Sequence, residues 1–281
     1  MRAWLYKIAT NACFDALAKH PRRILIPPAQ PPANPHDPPA PAISEPIWLE
    51  PFPDEWLAEL EMESAAGPEA RYAAHESITL AFMVALQALP PRQRAVLILR
   101  DVLDWQAREA AELLDVTVPA VNSALHRARV TLAQHYHRDG LDAASRLPPD
   151  ADQQELLNRY VRAWEAADVA TLIGLLKKDA RLAMPPSPTW FQGADAIGAF
   201  YESMIFSGHT PGQWRLRPTR ANGQPAFGIY QRDAAGVYQA FGLQVLTLSA
   251  GAGAVRIAAI TSFLQPEWLG YFRMSDFSEK V

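Results

Sequence analysis

The sequence predicts a multi-domain chain: an all-α segment built around a helix-turn-helix, followed by an α+β domain. Three observations carry that prediction. Apolar residues recur at helical spacing from about residue 69 to 137. A stretch with eleven prolines, 27–53, separates this region from a short amphipathic N-terminal helix. Beyond residue 150, helical segments give way to period-2 segments rich in Val, Ile, Phe, Tyr and Thr.

With 281 residues, the chain has room for two or three domains at roughly 100–200 residues each. Its composition, 49% hydrophobic and 20% charged, is that of a globular protein. A single cysteine, Cys13, excludes an internal disulfide and a cysteine-based zinc site. No apolar run reaches the roughly 18–20 residues of a membrane-spanning helix, and the expected location is the cytoplasm. The net charge of −4 is unevenly spread. Residues 1–26 carry five basic groups against Asp15, residues 27–79 carry ten acids against Arg71, and residues 118–138 carry three arginines and no acid. Two basic islands around an acidic stretch suit two separate DNA-facing elements.

Taken in order, residues 1–20 place Leu5, Ile8, Ala12 and Ala16 on one helical stripe, which Pro21 ends. The proline-dense stretch predicts an extended, semi-rigid linker. Trp48, Phe52 and Trp56, interleaved with acids, predict that this linker docks on something. Pro90-Pro91 breaks the following helical region once. Helices are expected over 152–178 (two) and 195–206, and strands near 213–219, 225–232, 236–249 and 254–264. The domain boundaries read from these changes are 1–26, 27–68, 69–140 and 150–277.

The segment WQAREAAELLDVTVPAVNSALHRARVTLAQ holds the helix-turn-helix. Ala107, Ala110, Ala111 and Leu114 stripe a first helix, and their small side chains allow close approach of another. Asp115-Val116-Thr117 forms the turn, with Thr117 as cap and Pro119 tolerated in the first turn of the next helix. That helix buries Val121, Leu125, Ala128 and Leu132 and presents Asn122, Ser123, His126, Arg127 and Arg129. Asn can pair with adenine and Arg with guanine in the major groove, while Ser and His can reach phosphate or base edges. The same pattern also fits an ordinary helical hairpin with a solvated polar face.

LPPRQRAVLILRDVLDWQAREAAELLDVTVPAVNSALHRARVTL resembles region 4 of the extracytoplasmic-function (ECF) sigma factors. Leu89, Pro90, Arg94, Val96, Leu97, Leu99 and Arg100 match one part of its pattern, and Leu125–Arg129 match its L-H-R-A-R. RAWLYKIATNACFDAL resembles the end of region 2, matched by Trp4, Leu5, Tyr6, Ile8, Ala9, Asn11, Asp15 and Leu17. IWLEPFPDEWL and residues 152–275 resemble the subgroup that carries a C-terminal SnoaL-like domain of the NTF2-like fold, an α+β cone. The resemblance implies contact with the −35 promoter element through Thr117, Asn122, Ser123, His126, Arg127 and Arg129. It also implies contacts near the −10 element from Asn11, Arg22 and Arg23. The partners it implies are promoter DNA, RNA polymerase core through the β flap, and an anti-sigma factor. The match opens inside region 2, so the expectation is a fragment that does not open a promoter unaided. Asn122 and Ala124 stand where many family members carry a basic pair, which predicts a weaker phosphate component.

For the C-terminal domain, Trp164, Trp190, Tyr201, Trp214, Tyr230 and Tyr238 are candidates to line a ligand pocket. Asp195, His209 and Asp233 are the acid–base candidates within it, each with a simpler role in a cap, turn or loop, so no catalytic residue is assigned. No metal site and no cofactor are expected. The competing reading, from a different class, is a SnoaL-like enzyme or small-ligand sensor with a vestigial sigma portion.

Overall fold

The computed structural model describes residues 8, 9, 12, 15, 23–26, 30–44, 48–56, 83, 86, 87, 89–139, 150–208, 211–249, 254–275 and 277. The chain divides into two compact units, Met1–Arg23 with Ala58–Asp139, and Ile24–Leu57 with Gly140–Val281.

In the first unit, helix α1 (Pro91–Leu97) opens with Pro91 in its first turn and continues into a π-type turn, Ile98–Val102. Helices α2 (Ala107–Leu114) and α3 (Val118–Asp139) follow. Their shared core is small and aliphatic. Leu89, Val96, Leu97, Ala110, Ala111, Val121, Leu125, Ala128 and Leu132 are all buried in it. Ala110 and Ala128 are fully enclosed, which is why this helix crossing requires alanine. Two arginines of the family-like motif serve as brackets. Arg94 donates to the carbonyls of Gln87 (3.0 Å) and Leu89 (3.2 Å), closing the turn ahead of α1. Arg100 donates to the Trp105 carbonyl and fixes the approach to α2.

The second unit is an α+β cone. Helices α4 (Ala151–Ala166) and α5 (Val169–Leu175) are capped by Asp150 and Asp168, whose carboxylates accept from the amides of Gln153 (2.8 Å) and Thr171 (3.0 Å). Then come β1 (Leu176–Ala183), β2 (Trp190–Gln192), helix α6 (Ala194–Phe200) with a π-type continuation to Ile205, and strands β3 (Trp214–Ala221), β4 (Gln224–Arg232), β5 (Tyr238–Leu248) and β6 (Ile257–Phe263). A short helix, α7 (Trp268–Tyr271), ends the described fold. The sheet runs β2-β1-β6-β5-β4-β3, with β1 and β6 parallel and all other neighbours antiparallel.

The four later strands fall where the alternation predicts them. Two further strands carry no such signal. LKKDARLA (β1) exposes Lys178 and Asp179 side by side and buries Leu182 and Ala183 side by side, with no clean alternation, so it reads as an extension of α5. WFQ (β2) is too short to show a period. Asn222 and Gly223, both at positive φ (55° and 70°), form the tight turn between β3 and β4. A bulge places Phe241 between the pairs Ile229–Gly242 and Tyr230–Ala240. Gly242 is required there, because a Cβ would lie 2.5 Å from the Phe263 carbonyl oxygen.

The predicted linker does not stand apart as a separate segment. Its described part is a strap on the C-terminal cone, tied to β2 at one edge of the sheet and to the Ala221 end of β3 at the other. At the β2 edge, the Trp190 indole donates to the Gln30 carbonyl (2.9 Å) and the Ala33 amide donates to the Trp190 carbonyl (2.8 Å). The Ala40 amide reaches the Thr189 hydroxyl (2.8 Å) nearby. At the β3 edge, Phe52 and Asn222 exchange two hydrogen bonds, and Pro53 bridges to Ala221. The Asp54 carboxylate accepts from Arg220 Nε (3.1 Å) and from the Gly223 amide (2.8 Å). Proline suits a strap of this kind because it has no N–H that needs a ladder partner. Of the predicted docking aromatics, Trp48 is buried and donates to the Ile43 carbonyl (2.9 Å). Phe52 and Trp56 stack edge-on, and Trp56 meets Tyr271.

Candidate nucleic-acid interface

The turn between α2 and α3 is built by Asp115, in the left-handed region (φ 56°, ψ 49°), with the Val116 amide returning to the Ala111 carbonyl (3.0 Å). The Thr117 hydroxyl accepts from the Ala120 amide at 3.3 Å, so Thr117 is the cap that its position predicts. Helix α3 then places Val121, Leu125, Ala128 and Leu132 inward. Thr117, Asn122, Ser123, His126, Arg127 and Arg129 lie exposed on the other side. The face thus carries amide, hydroxyl, imidazole and guanidinium groups on one helix, beside the positive end of its dipole.

Arg129 differs from its neighbours. Its guanidinium makes a two-pronged bond with Asp101, Nε to Oδ2 at 2.9 Å and the terminal nitrogen to Oδ1 at 2.7 Å. The hydrogen bond to Asp101 raises its already high pKa. Arg129 therefore ties α3 to the π-type turn and presents less of its fork to a ligand than Arg127 does. Of the three residues expected near the −10 element, Arg23 is exposed and its amide donates to Gln87 Oε1 at 2.6 Å. Asn11 and Arg22 lie outside the described residues.

In the cone, the six pocket candidates do not converge on one space. Trp164, Tyr201 and Trp214 do meet, with Phe206 and Phe241, at centroid separations of 5.0–5.9 Å. They fill the interior, because all but Phe241 are buried. Trp190 is turned to the strap, and Tyr230 and Tyr238 pack around Phe277, Tyr230 donating to the Met274 carbonyl (2.6 Å). Arg215 lies over the Tyr238 ring at 5.5 Å. Asp195 is exposed in the first turn of α6. Asp233 is exposed in the β4–β5 turn, where Gln239 and the amides of Val237 and Ala235 hold its carboxyl below the ordinary range. His209 lies outside the described residues.

One buried set has no signature in the sequence. The Tyr160 hydroxyl donates to Gln244 Oε1 (2.7 Å), and Gln244 Nε2 donates to the Ser262 hydroxyl (3.1 Å). Burial pushes the phenols of Tyr160 and Tyr201 well above their ordinary value, so both stay neutral. The partners come from α4, β5 and β6, and nothing in sequence spacing connects them. Among the described residues, no group of three or more His, Cys, Asp or Glu could hold a metal ion. No helix among them is long and apolar enough to cross a membrane.

A helix-turn-helix unit joined to an α+β cone defines a class, and comparison with known proteins gives the same two parts. The family profile described as "Sigma-70, region 4" matches residues 79–132, and that of the SnoaL-like domain matches residues 157–263. The ECF RNA polymerase sigma factor SigG of Mycobacterium tuberculosis is 38% identical over 278 residues, covering 98% of this chain and 71% of that protein. The ECF sigma factor SigJ of the same organism is 26% identical over 147 residues, covering 50% of this chain and 45% of that protein. The crystal structure of SigJ shares the fold, with a TM-score of 0.54 at 21% identity, covering 96% of this chain and 82% of that one. The chain belongs to the ECF family of RNA polymerase sigma factors. Its class of activity is that of a DNA-binding sigma factor and not of an enzyme.

Proposed function

We propose that α3 reads the −35 element of a promoter while the chain is bound to RNA polymerase core. The observation that carries this reading is the two-sided character of α3. Its four inward residues are buried against α1 and α2, and its outward side carries Asn122, Ser123, His126 and Arg127. Arg127 and Asn122 supply sequence discrimination, and Thr117 and Ser123 contact phosphate together with the helix terminus. Asn11, Arg22 and Arg23 contribute near the −10 element. Polymerase is engaged through its β flap, an anti-sigma factor is the expected regulator, and the chain acts in the cytoplasm. The cone modulates the sigma part by holding the strap, whose own sequence leads into the region-4 helices.

The test is transcription and promoter binding with reconstituted polymerase, on templates with intact and substituted −35 elements. The reading expects Arg127→Ala to lower affinity for the intact template and to narrow the gap between the two. Equal affinities for both templates with the unaltered chain would remove the −35 assignment. Deleting residues 150–281 should change transcription output, and an unchanged output would remove the modulatory role.

A further inference from the structure

The cone holds a cleft of about 740 Å³ between α4, the β3–β4 edge and the strap. This volume lies within the roughly 300–1,000 Å³ range of small-molecule sites. It shares Leu157 and Phe227 with the core that buries Trp164, Tyr201 and Trp214, none of which lines it. Its floor is apolar, formed by Leu157 and Val161 from α4 and by Pro225 and Phe227 from β4. Asp54 and Arg220 stand at its rim.

The charges on this lining are paired. Asp54 bonds Arg220 at 3.1 Å, Glu55 faces Arg273 at 3.8 Å, and Arg162 bonds Glu155 at 3.0 Å. These pairs already neutralise the charges of the lining, so the lining offers no net charge to attract an ionic ligand, whereas an uncharged apolar one would keep the pairs and cover the floor. We propose that the cleft is a binding site for a small, uncharged, apolar molecule, and that its occupancy reinforces docking of the strap. The coupling follows from the walls. Two lining residues, Asp54 and Glu55, belong to the strap, so the site is complete only when the strap is docked. A ligand that needs the docked state favours it by the ratio of its affinities for the two states. The consequence for transcription rests on the modulatory role proposed above; the binding itself does not.

The experiment uses the full chain and N-phenyl-1-naphthylamine, an uncharged apolar fluorophore, as probe. Saturable binding with one probe per chain is expected. Val161→Trp, and Asn158→Trp from an exposed position on the same lining, should each weaken it by about tenfold or more. Near-ultraviolet circular dichroism checks that each variant is folded, and the exposed position keeps the test usable if Val161→Trp is not. Asp54→Ala should also weaken the probe, and saturating probe should slow hydrogen exchange at the amides of Phe52, Asn222 and Gly223. Absence of saturable binding, or undiminished affinity in folded Asn158→Trp, would overturn the site. Binding with unchanged exchange at those three amides would overturn the coupling. None of these results bears on DNA recognition by α3, which the promoter assay measures separately.

Discussion

The two units use their polar residues in opposite ways. In the helix-turn-helix unit the described buried core side chains are aliphatic, with Trp105 packed against them, and Asn122, Ser123, His126, Arg127 and Arg129 of α3 stand outside. In the cone, tyrosine, glutamine and serine are bonded in the interior, and a proline-rich strap from elsewhere in the chain is tied to β2 and to the β3–β4 turn. A surface of unburied polar groups on a rigid helix is suited to meeting a polyanion. A bonded polar interior with a strap tied to its sheet is suited to holding one packing arrangement and to answering a small molecule. The chain therefore joins two physically unlike devices, one reading outward and one closed on itself.

The largest contrast lies in the cores. Trp164→Ala, at a site 2% exposed and in contact with four aromatic rings, should cost the cone about 3–5 kcal/mol. Leu125→Ala should cost the helix-turn-helix unit about 2–5 kcal/mol and weaken DNA binding with it. Calorimetry on the two variants should show different transitions lowered. A single shared transition lowered equally by both would deny that the units are independent.

The strap comes next. Asp54→Ala leaves the Gly223 amide and Arg220 without their shared acceptor, at a cost of about 1–3 kcal/mol. Hydrogen exchange should quicken at the amides of Phe52, Asp54, Asn222 and Gly223 more than in the helix-turn-helix unit.

A smaller effect separates two arginines that look alike in sequence. Arg127→Ala should leave stability within about 0.5 kcal/mol while losing about 1–3 kcal/mol of base discrimination. Arg129→Ala removes the Asp101 pair, whose arginine is 61% exposed, so the stability loss should stay below about 1 kcal/mol. It should also have less effect on discrimination than Arg127→Ala, and the reverse order in a binding titration would reassign the reader.

The smallest effect is seen in alkali. The raised phenol values of Tyr160 and Tyr201 mean that burying them neutral stabilises the cone fully below the ordinary value of about 10. That contribution is lost as pH rises above it. Absorbance titration should show these two phenols ionising together with unfolding, and early ionisation of both would contradict their burial.

These contrasts track what the sequence makes legible. The helix-turn-helix is local: Thr117, Val121, Leu125 and Ala128 sit within one helix and its cap, so a 3.6-residue period and a capping rule place them. Arg129 reads in sequence as an equal of Arg127, because its partner, Asp101, lies 28 residues away on a turn with no periodic signal. In the cone, the period-2 segments reveal four strands, while β1 stays hidden behind its Lys-Lys-Asp run. The strap is visible as prolines and aromatics, but its partners Asn222 and Arg220 lie more than 160 residues away. The Asn-Gly turn at 222–223 is the one local clue to that anchor. The Tyr160–Gln244–Ser262 chain crosses three elements and leaves no pattern in sequence.

The contact on which the functional reading turns is that between the outer face of α3 and promoter DNA. A photo-crosslinking amino acid placed at Asn122 would map it, through its adducts on a promoter bound with polymerase core. Adducts on base pairs of the −35 element are expected. A folded, polymerase-bound chain whose position 122 crosslinks only to protein, or to DNA outside that element, would contradict it.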